Sequence, residues 1–271
     1  MSVLDEILAN KRDEVTVLHE PSTRATIRRG ALESGPTRGF EARLRERARD
    51  GGTLAVIAEI KRRSPSKGEL APDLDAGAIA AEYERGGAAC LSVLTDRPFF
   101  GGAVSDLQEA RAATSTTPVL RKDFTIDPDQ VYETRGIGAD AVLLIVAAIP
   151  DDTLLRDLYE LAVELGLDVL VEAHDADELD RALGAGATCV GVNARNLESF
   201  AEDLGVAERL VARIPADVVA VAESAIRSVS DAERVAAVGF DAVLVGEALV
   251  RAPDPASLVQ ALAAVPVHGR S

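Results

Sequence analysis

Tryptophan is absent, methionine occurs once, and the 271 residues hold two cysteines, three histidines and nine aromatic rings, six Phe and three Tyr. So few cysteines and histidines argue against a zinc centre. Cys90 and Cys189 have no third cysteine and no histidine at ligand spacing, which leaves a zinc site unsupported. Both lie inside apolar runs, AACLSVL and ATCVGVN, and read as small buried hydrophobes. No apolar run approaches the roughly 20 residues that span a bilayer, so a membrane-spanning protein is excluded. The N-terminus, MSVLDEILANKRDEV, mixes charge with apolar residues at helical spacing and is expected not to be a secretory signal. A cytoplasmic enzyme or binding protein remains.

Positive charge is scarce as well. Against 45 acidic side chains stand 29 basic ones, a net charge of −16 that repels the phosphates of nucleic acid and of anionic membranes. Only Lys11, Lys61, Lys67 and Lys122 are lysines; arginine makes up the rest. Low lysine with surplus Asp and Glu fits either a GC-rich genome or a salt-adapted surface. Position matters more, because three of the four lysines fall in two short segments.

What the chain has in quantity is short apolar runs alternating with helical patterns. The runs cover residues 53–60, 88–95, 117–124, 140–148, 167–174, 187–193, 217–224 and 241–248. Each is rich in Val, Ile or Leu, and near-continuous rather than alternating, as parallel strands covered on both faces require. Amphipathic stretches such as DTLLRDLYELAVELG lie between them, with Pro128, Pro150 and Pro255 near starts and Gly86, Gly166 and Gly239 just past ends. Eight strand-helix units predict a closed (β/α)8 TIM barrel. The rival, a doubly wound open sheet, would use fewer strands and often a glycine fingerprint after the first, which is missing. Residues 1–50 predict an N-terminal helical extension, with helices at about 2–17 and 37–50 joined by a polar loop. Residues 52–265 form the barrel and 266–271 a frayed tail, together one domain.

In a barrel of this kind, chemistry sits at the carboxyl ends of the strands. Those positions hold Glu59 and Lys61, Lys122 and Asp123, Glu172 and His174, Asn193 and Arg195, Glu223 and Ser224, and Gly246 and Glu247. One such group alone is a rim ion pair. Two lysines and two glutamates converging point to a polar pocket, because ionisable groups are costly inside a barrel unless paired. The segment EIKRRSPSKGEL (59–70) offers anion donors, with Gly68 as a hinge for a mobile loop. AESAI (222–226) and LVGEAL (244–249) combine short side chains with strand-to-helix turns whose N–H groups can hold a phosphate. The reading to this point is an enzyme acting on a sugar phosphate. His174 reads as a helix-start or supporting residue, and His19 and His268 as solvated.

In order along the chain, AEIKRRSPSKG, VLRKDF, LVEAHD, GVNARNL, AESAI and VLVGEAL resemble the indole-3-glycerol phosphate synthase family of tryptophan biosynthesis, over essentially residues 1–265. The resemblance implies a carboxy-lyase that closes the indole ring of 1-(2-carboxyphenylamino)-1-deoxyribulose 5-phosphate with loss of CO₂ and water, and without metal or organic cofactor. It implies Lys122 as the general acid at the ribulose carbonyl and Glu172 as the group that completes proton transfer during dehydration. Lys61 then binds the aryl carboxylate, with Glu59 a catalytic carboxylate beside it. Asn193 hydrogen-bonds a ribulose hydroxyl, Arg195 supplies positive charge, and Ser64 offers a hydroxyl to the carboxylate. Phe100, Phe124 and Leu197 wall the anthranilate ring, while Glu223, Ser224, Ala225, Leu244, Gly246 and Glu247 complete the substrate site. Ala225 is a departure, for the family usually has glycine there. A positive φ at that residue would strain the turn by about 1 kcal/mol; a negative one would cost little. Two rivals stand beside this reading: a Schiff-base aldolase using Lys122 as an amine nucleophile, and a barrel that binds a phosphate ligand without turnover. A monomer or weak homodimer is expected, since no exposed apolar stripe stands apart from the faces that cover the barrel.

Overall fold

The computed structural model describes residues 2–195 and 202–270. All eight apolar runs contain strands: β1 (Ala55–Ile60), β2 (Cys90–Leu94), β3 (Val119–Lys122), β4 (Ala141–Ile145), β5 (Asp168–Ala173), β6 (Cys189–Asn193), β7 (Val219–Glu223) and β8 (Ala242–Val245). Each pairs in parallel with its neighbours in sequence, and β1 returns to β8 through Ala55–Ala242 to Ala58–Val245, closing the barrel. Closure disposes of the open-sheet rival. Helices cover the outside while side chains fill the inside, so both faces of each strand exclude water. Cys90 and Cys189 are buried within β2 and β6. No helix among the described residues is long and apolar enough to cross a membrane.

Seven aspartates, Asp75, Asp96, Asp127, Asp151, Asp175, Asp203 and Asp254, accept the free N–H groups of a helix's first turn. Each such cap is worth about 1 kcal/mol over alanine. Part of the acidic surplus therefore has a local structural use. Gly86 ends its helix with an ordinary φ of −71°, so it is there for space: a Cβ would press into the Ala256 carbonyl and the Val259 side chain.

The extension is more helical than its sequence suggests. α1 (Val3–Leu18) is followed not by a polar loop but by α2 (Pro21–Glu33). The helix expected over 37–50 begins only at Phe40, as α3 (Phe40–Arg45), and continues as a π-helical turn to Asp50. α2 buries only Ala31, so it has no apolar stripe for periodicity to reveal. It is held instead by charge. Arg24 Nε and Arg28 Nη2 lie 2.7 and 2.9 Å from the buried Asp129 carboxylate, and Arg28 stacks 4.7 Å over the Tyr132 ring. His19, expected to be solvated, is exposed, and its Nε2 sits 3.0 Å from Asp127. Both aspartates belong to the helix Pro128–Gly136 and its cap.

Two further expectations change. Within 59–70, Arg63–Ser64 pairs antiparallel with Gly68–Glu69, so the expected loop contains a short ribbon. The tail, expected to fray, bridges Pro266 to Thr53, and Arg270 reaches the carbonyls of Val218 and Gly239 and the Asp241 carboxylate at 2.9 Å.

Candidate functional site

The strand ends converge on a cavity of about 320 Å³ at the carboxyl face of the barrel. β1 delivers Glu59 and, one residue past its end, Lys61, whose ammonium binds the Glu59 carboxylate. From the end of β3, Lys122 Nζ stands 3.1 Å from Glu172 Oε2 on β5 and 3.8 Å from Glu223 Oε2 on β7. Asn193, closing β6, donates to Glu172 Oε1 at 2.9 Å. Glu59, Glu172 and Glu223 are each 5% exposed or less, and small residues make the room they need. A Cβ on Gly191 would collide with the Glu223 carboxylate, and one on Gly246 with Glu59.

Charge in the cavity is divided unequally. Burial favours the neutral amine at Lys122, but Glu172, Glu223 and Glu59 outweigh it and raise its pKa above the usual lysine value. Glu172 moves the other way: burial opposes its charge, yet Lys122, His174 and Asn193 lower its pKa. Glu223 is pushed well above the usual carboxylate range by burial and by the neighbouring Glu172. Its Oε1 has no hydrogen-bond partner among the described residues. The site thus sets a lysine whose charge is favoured beside one carboxyl whose ionisation is favoured and one whose ionisation is opposed, an arrangement that separates proton donor from acceptor.

His174 sits just before the Asp175 cap, as a helix-start residue should. Its Nδ1 and its backbone N–H both meet Glu178 Oε2, at 2.9 and 2.8 Å, and its Nε2 lies 3.3 Å from Glu172 Oε1. The two glutamates overcome the desolvation of the ring and lift its pKa to about 10. Arg195 is tied to Ser66 and to Glu202, and Glu202 also holds Arg227.

Ser64, Phe100 and Phe124 line the cavity, the two rings with centroids 6.1 Å apart. Across the opening lie Ser224, Ala225, Leu244, Gly246 and Glu247. Ser224 and Ala225 have φ of 64° and 59°, the only non-glycine residues with positive φ among those described. The turn at Ala225 is therefore of the strained kind. Leu197 lies outside the described residues. Asp123, though beside Lys122, turns its carboxylate to Thr95, Phe124 N–H and Lys11.

Sequence reasoning missed one wall of the cavity. Val3, Leu4 and Ile7 of α1 line it, so the extension builds part of the site as well as covering the barrel. Their helical spacing marks an apolar face, but spacing does not say what the face covers.

Comparison with known proteins agrees with this geometry. The family model described as indole-3-glycerol phosphate synthase matches residues 4–262. The indole-3-glycerol phosphate synthase of Aromatoleum aromaticum is 50% identical over 96% of this chain and 98% of its own. That of Azospirillum brasilense is 45% identical over 97% and 99%. Among solved structures, 3-hexulose-6-phosphate synthase from Salmonella typhimurium superposes with a TM-score of 0.62 at 17% identity, covering 78% of this chain and 98% of that one. Tryptophan synthase subunit alpha from Legionella pneumophila gives 0.60 at 14%, covering 84% and 98%. These two likenesses speak for the barrel alone; the identities over full length say more, and by them the chain belongs to the indole-3-glycerol phosphate synthase family.

Proposed function

We propose that this protein converts 1-(2-carboxyphenylamino)-1-deoxyribulose 5-phosphate to indole-3-glycerol phosphate, releasing CO₂ and water, as a carboxy-lyase of tryptophan biosynthesis. The observation that carries this reading is the Lys122 amine, 3.1 Å from Glu172 and 3.8 Å from Glu223 in the cavity at the carboxyl face of the barrel. Ring closure needs a proton at the ketose oxygen as the arene carbon attacks the carbonyl carbon. Lys122 is the donor, and its ammonium also stabilises the developing alkoxide. Glu172 keeps Lys122 charged and completes proton transfer when the hydroxyl leaves as water. Lys61 binds the aryl carboxylate until it departs as CO₂, with Glu59 as the catalytic carboxylate beside it and Ser64 as a further donor. Glu223 and the Asn193 amide hydrogen-bond the substrate hydroxyls. Phe100, Phe124 and the α1 residues Val3, Leu4 and Ile7 exclude water around the anthranilate ring.

The phosphate belongs at the Ser224–Ala225 turn and the Gly246–Glu247 start, with Arg195 supplying positive charge and Leu244 packing behind. The tight turn at these two positive-φ residues leaves backbone N–H groups that can donate to an anion. Arg195 and Arg227 share the one carboxylate of Glu202, which leaves a net positive charge for the phosphate to meet. An imine mechanism needs a neutral amine at Lys122, which its three glutamate neighbours oppose. Extension, barrel and tail are taken as one domain working in the cytoplasm as a monomer or weak homodimer. In keeping with this, the large exposed apolar side chains, Val17, Leu32, Val163 and Val238, are scattered singly.

The test adds the substrate to purified protein without metal and follows indole fluorescence. Product formation with no borohydride-trappable adduct is expected. Absence of product, or a trapped adduct, contradicts the reading.

A further inference from the structure

Three of the four lysines stand at or near the cavity; Lys11 of α1 has no part in the chemistry above, yet it is 2% exposed. Its ammonium contacts three carboxylates: Glu14 Oε2 at 2.6 Å on its own helix, Asp123 Oδ1 at 2.8 Å and Asp96 Oδ2 at 3.3 Å. Glu14 is half-exposed. Asp96 and Asp123 are buried, and they stand just past the ends of β2 and β3, the strands whose following residues carry Phe100 and Phe124.

Each aspartate shapes the cavity wall through its other bonds. Asp123 follows Lys122 directly, accepts the Phe124 N–H at 2.8 Å and binds the Thr95 hydroxyl. Asp96 accepts the Phe99 N–H at 2.9 Å and so caps the helical turn that carries Phe100. Apart from Lys11, Asp96 Oδ2 has no polar partner among the described residues. Lys11 lies one helical turn beyond Ile7, and two beyond Leu4, on the face that lines the cavity.

We infer that Lys11 is a positioning residue for the reaction: its buried ammonium locks the ends of β2 and β3 together and thereby holds Lys122 and the two phenylalanine rings in their working geometry. The inference rests on Lys122 being the acid. The partners fit it physically. Two buried carboxylates facing each other would repel and drift or take up protons, and one ammonium between them offsets that repulsion, although burial still holds Asp96 above the usual carboxylate range. Asp123 is indeed held below the usual carboxylate range, burial notwithstanding, by Arg121 and Lys11. A fastening that only docked α1 would matter for substrate affinity. One that sets the direction of the Lys122 side chain matters for the chemical step, since small misplacements of an acid cost large factors in rate.

The experiment compares kcat and KM of Lys11→Met, Lys11→Gln and Lys11→Arg with wild type, folding being checked by circular dichroism. Lys11→Met and Lys11→Gln are expected to lose about 10- to 100-fold in kcat, with KM changed less than about threefold. Lys11→Arg, which keeps the charge, is expected to recover most of the loss. Where Lys11→Met fails to fold, Lys11→Gln carries the test, because its amide still donates to Asp123. A rise in KM with kcat unchanged, or equal behaviour of Gln and Arg, overturns the inference while leaving Lys122 as the acid. Full turnover by Lys122→Met overturns both together.

Discussion

At the scale of single residues the protein stores its chemistry as opposed protonation states. His174 shows this in a form that can be measured. Its pKa rises from the ordinary 6.5 to about 10 in the folded protein, through desolvation overcome by Glu172 and Glu178. A raised pKa means the folded state binds the proton more tightly than the unfolded one. The stabilisation is fully present below pH 6.5 and is lost as pH climbs towards 10. Denaturation midpoints should therefore fall across that window, and His174→Gln should flatten the fall; an unchanged slope would remove His174 as the cause. Ala225 is the second case. Its φ of 59° burdens an alanine with strain that a glycine would not feel. Allowing for the greater freedom of an unfolded glycine, Ala225→Gly should stabilise the protein by roughly 0.5–1 kcal/mol. KM should move less than about tenfold, measured alongside urea unfolding by steady-state kinetics, because the substitution leaves the backbone N–H proposed for the phosphate in place.

At the scale of elements, the hydrophobic pattern matches the structure in the barrel strands and misses it where a helix is docked by charge. All eight runs became strands, with ends shifted by a few residues at most, because a barrel strand must be apolar on both faces. α2 escaped notice because its docking depends on Arg24 and Arg28 reaching Asp129, a partner about a hundred positions away. No local pattern encodes such a contact. Asp129→Asn should cost about 1–3 kcal/mol and speed amide exchange over residues 21–33. Unaltered exchange there would show that α2 is held by something else. Within the site the boundary is a different one, between what a strand end fixes locally and what only tertiary packing brings up. Glu59, Lys61, Lys122 and Glu172 were legible because strand ends are where a barrel keeps its polar groups. The wall formed by Val3, Leu4 and Ile7 was not, since only the folded chain brings α1 over the cavity.

At the scale of the whole molecule, the net charge of −16 is partly accounted for and partly not. Seven aspartates cap helices, and others pair with arginine, which gives many acids a local purpose independent of the medium. The unpaired remainder still repels itself, and salt screens that repulsion over about 3 Å at 1 M. If the surface is adapted to salt, the melting temperature rises as KCl approaches 1 M. A maximum at low ionic strength and a fall in molar KCl would dismiss that adaptation and leave coding bias as the source of the composition.

Every scale returns to the ammonium of Lys122 beside Glu172, and one comparison addresses it directly. Indole product formation by Lys122→Met is measured against wild type, with circular dichroism to establish that both are folded. The predicted result is a loss of about 10²- to 10⁴-fold in kcat with an intact barrel. Near-normal turnover by the folded variant would contradict the account.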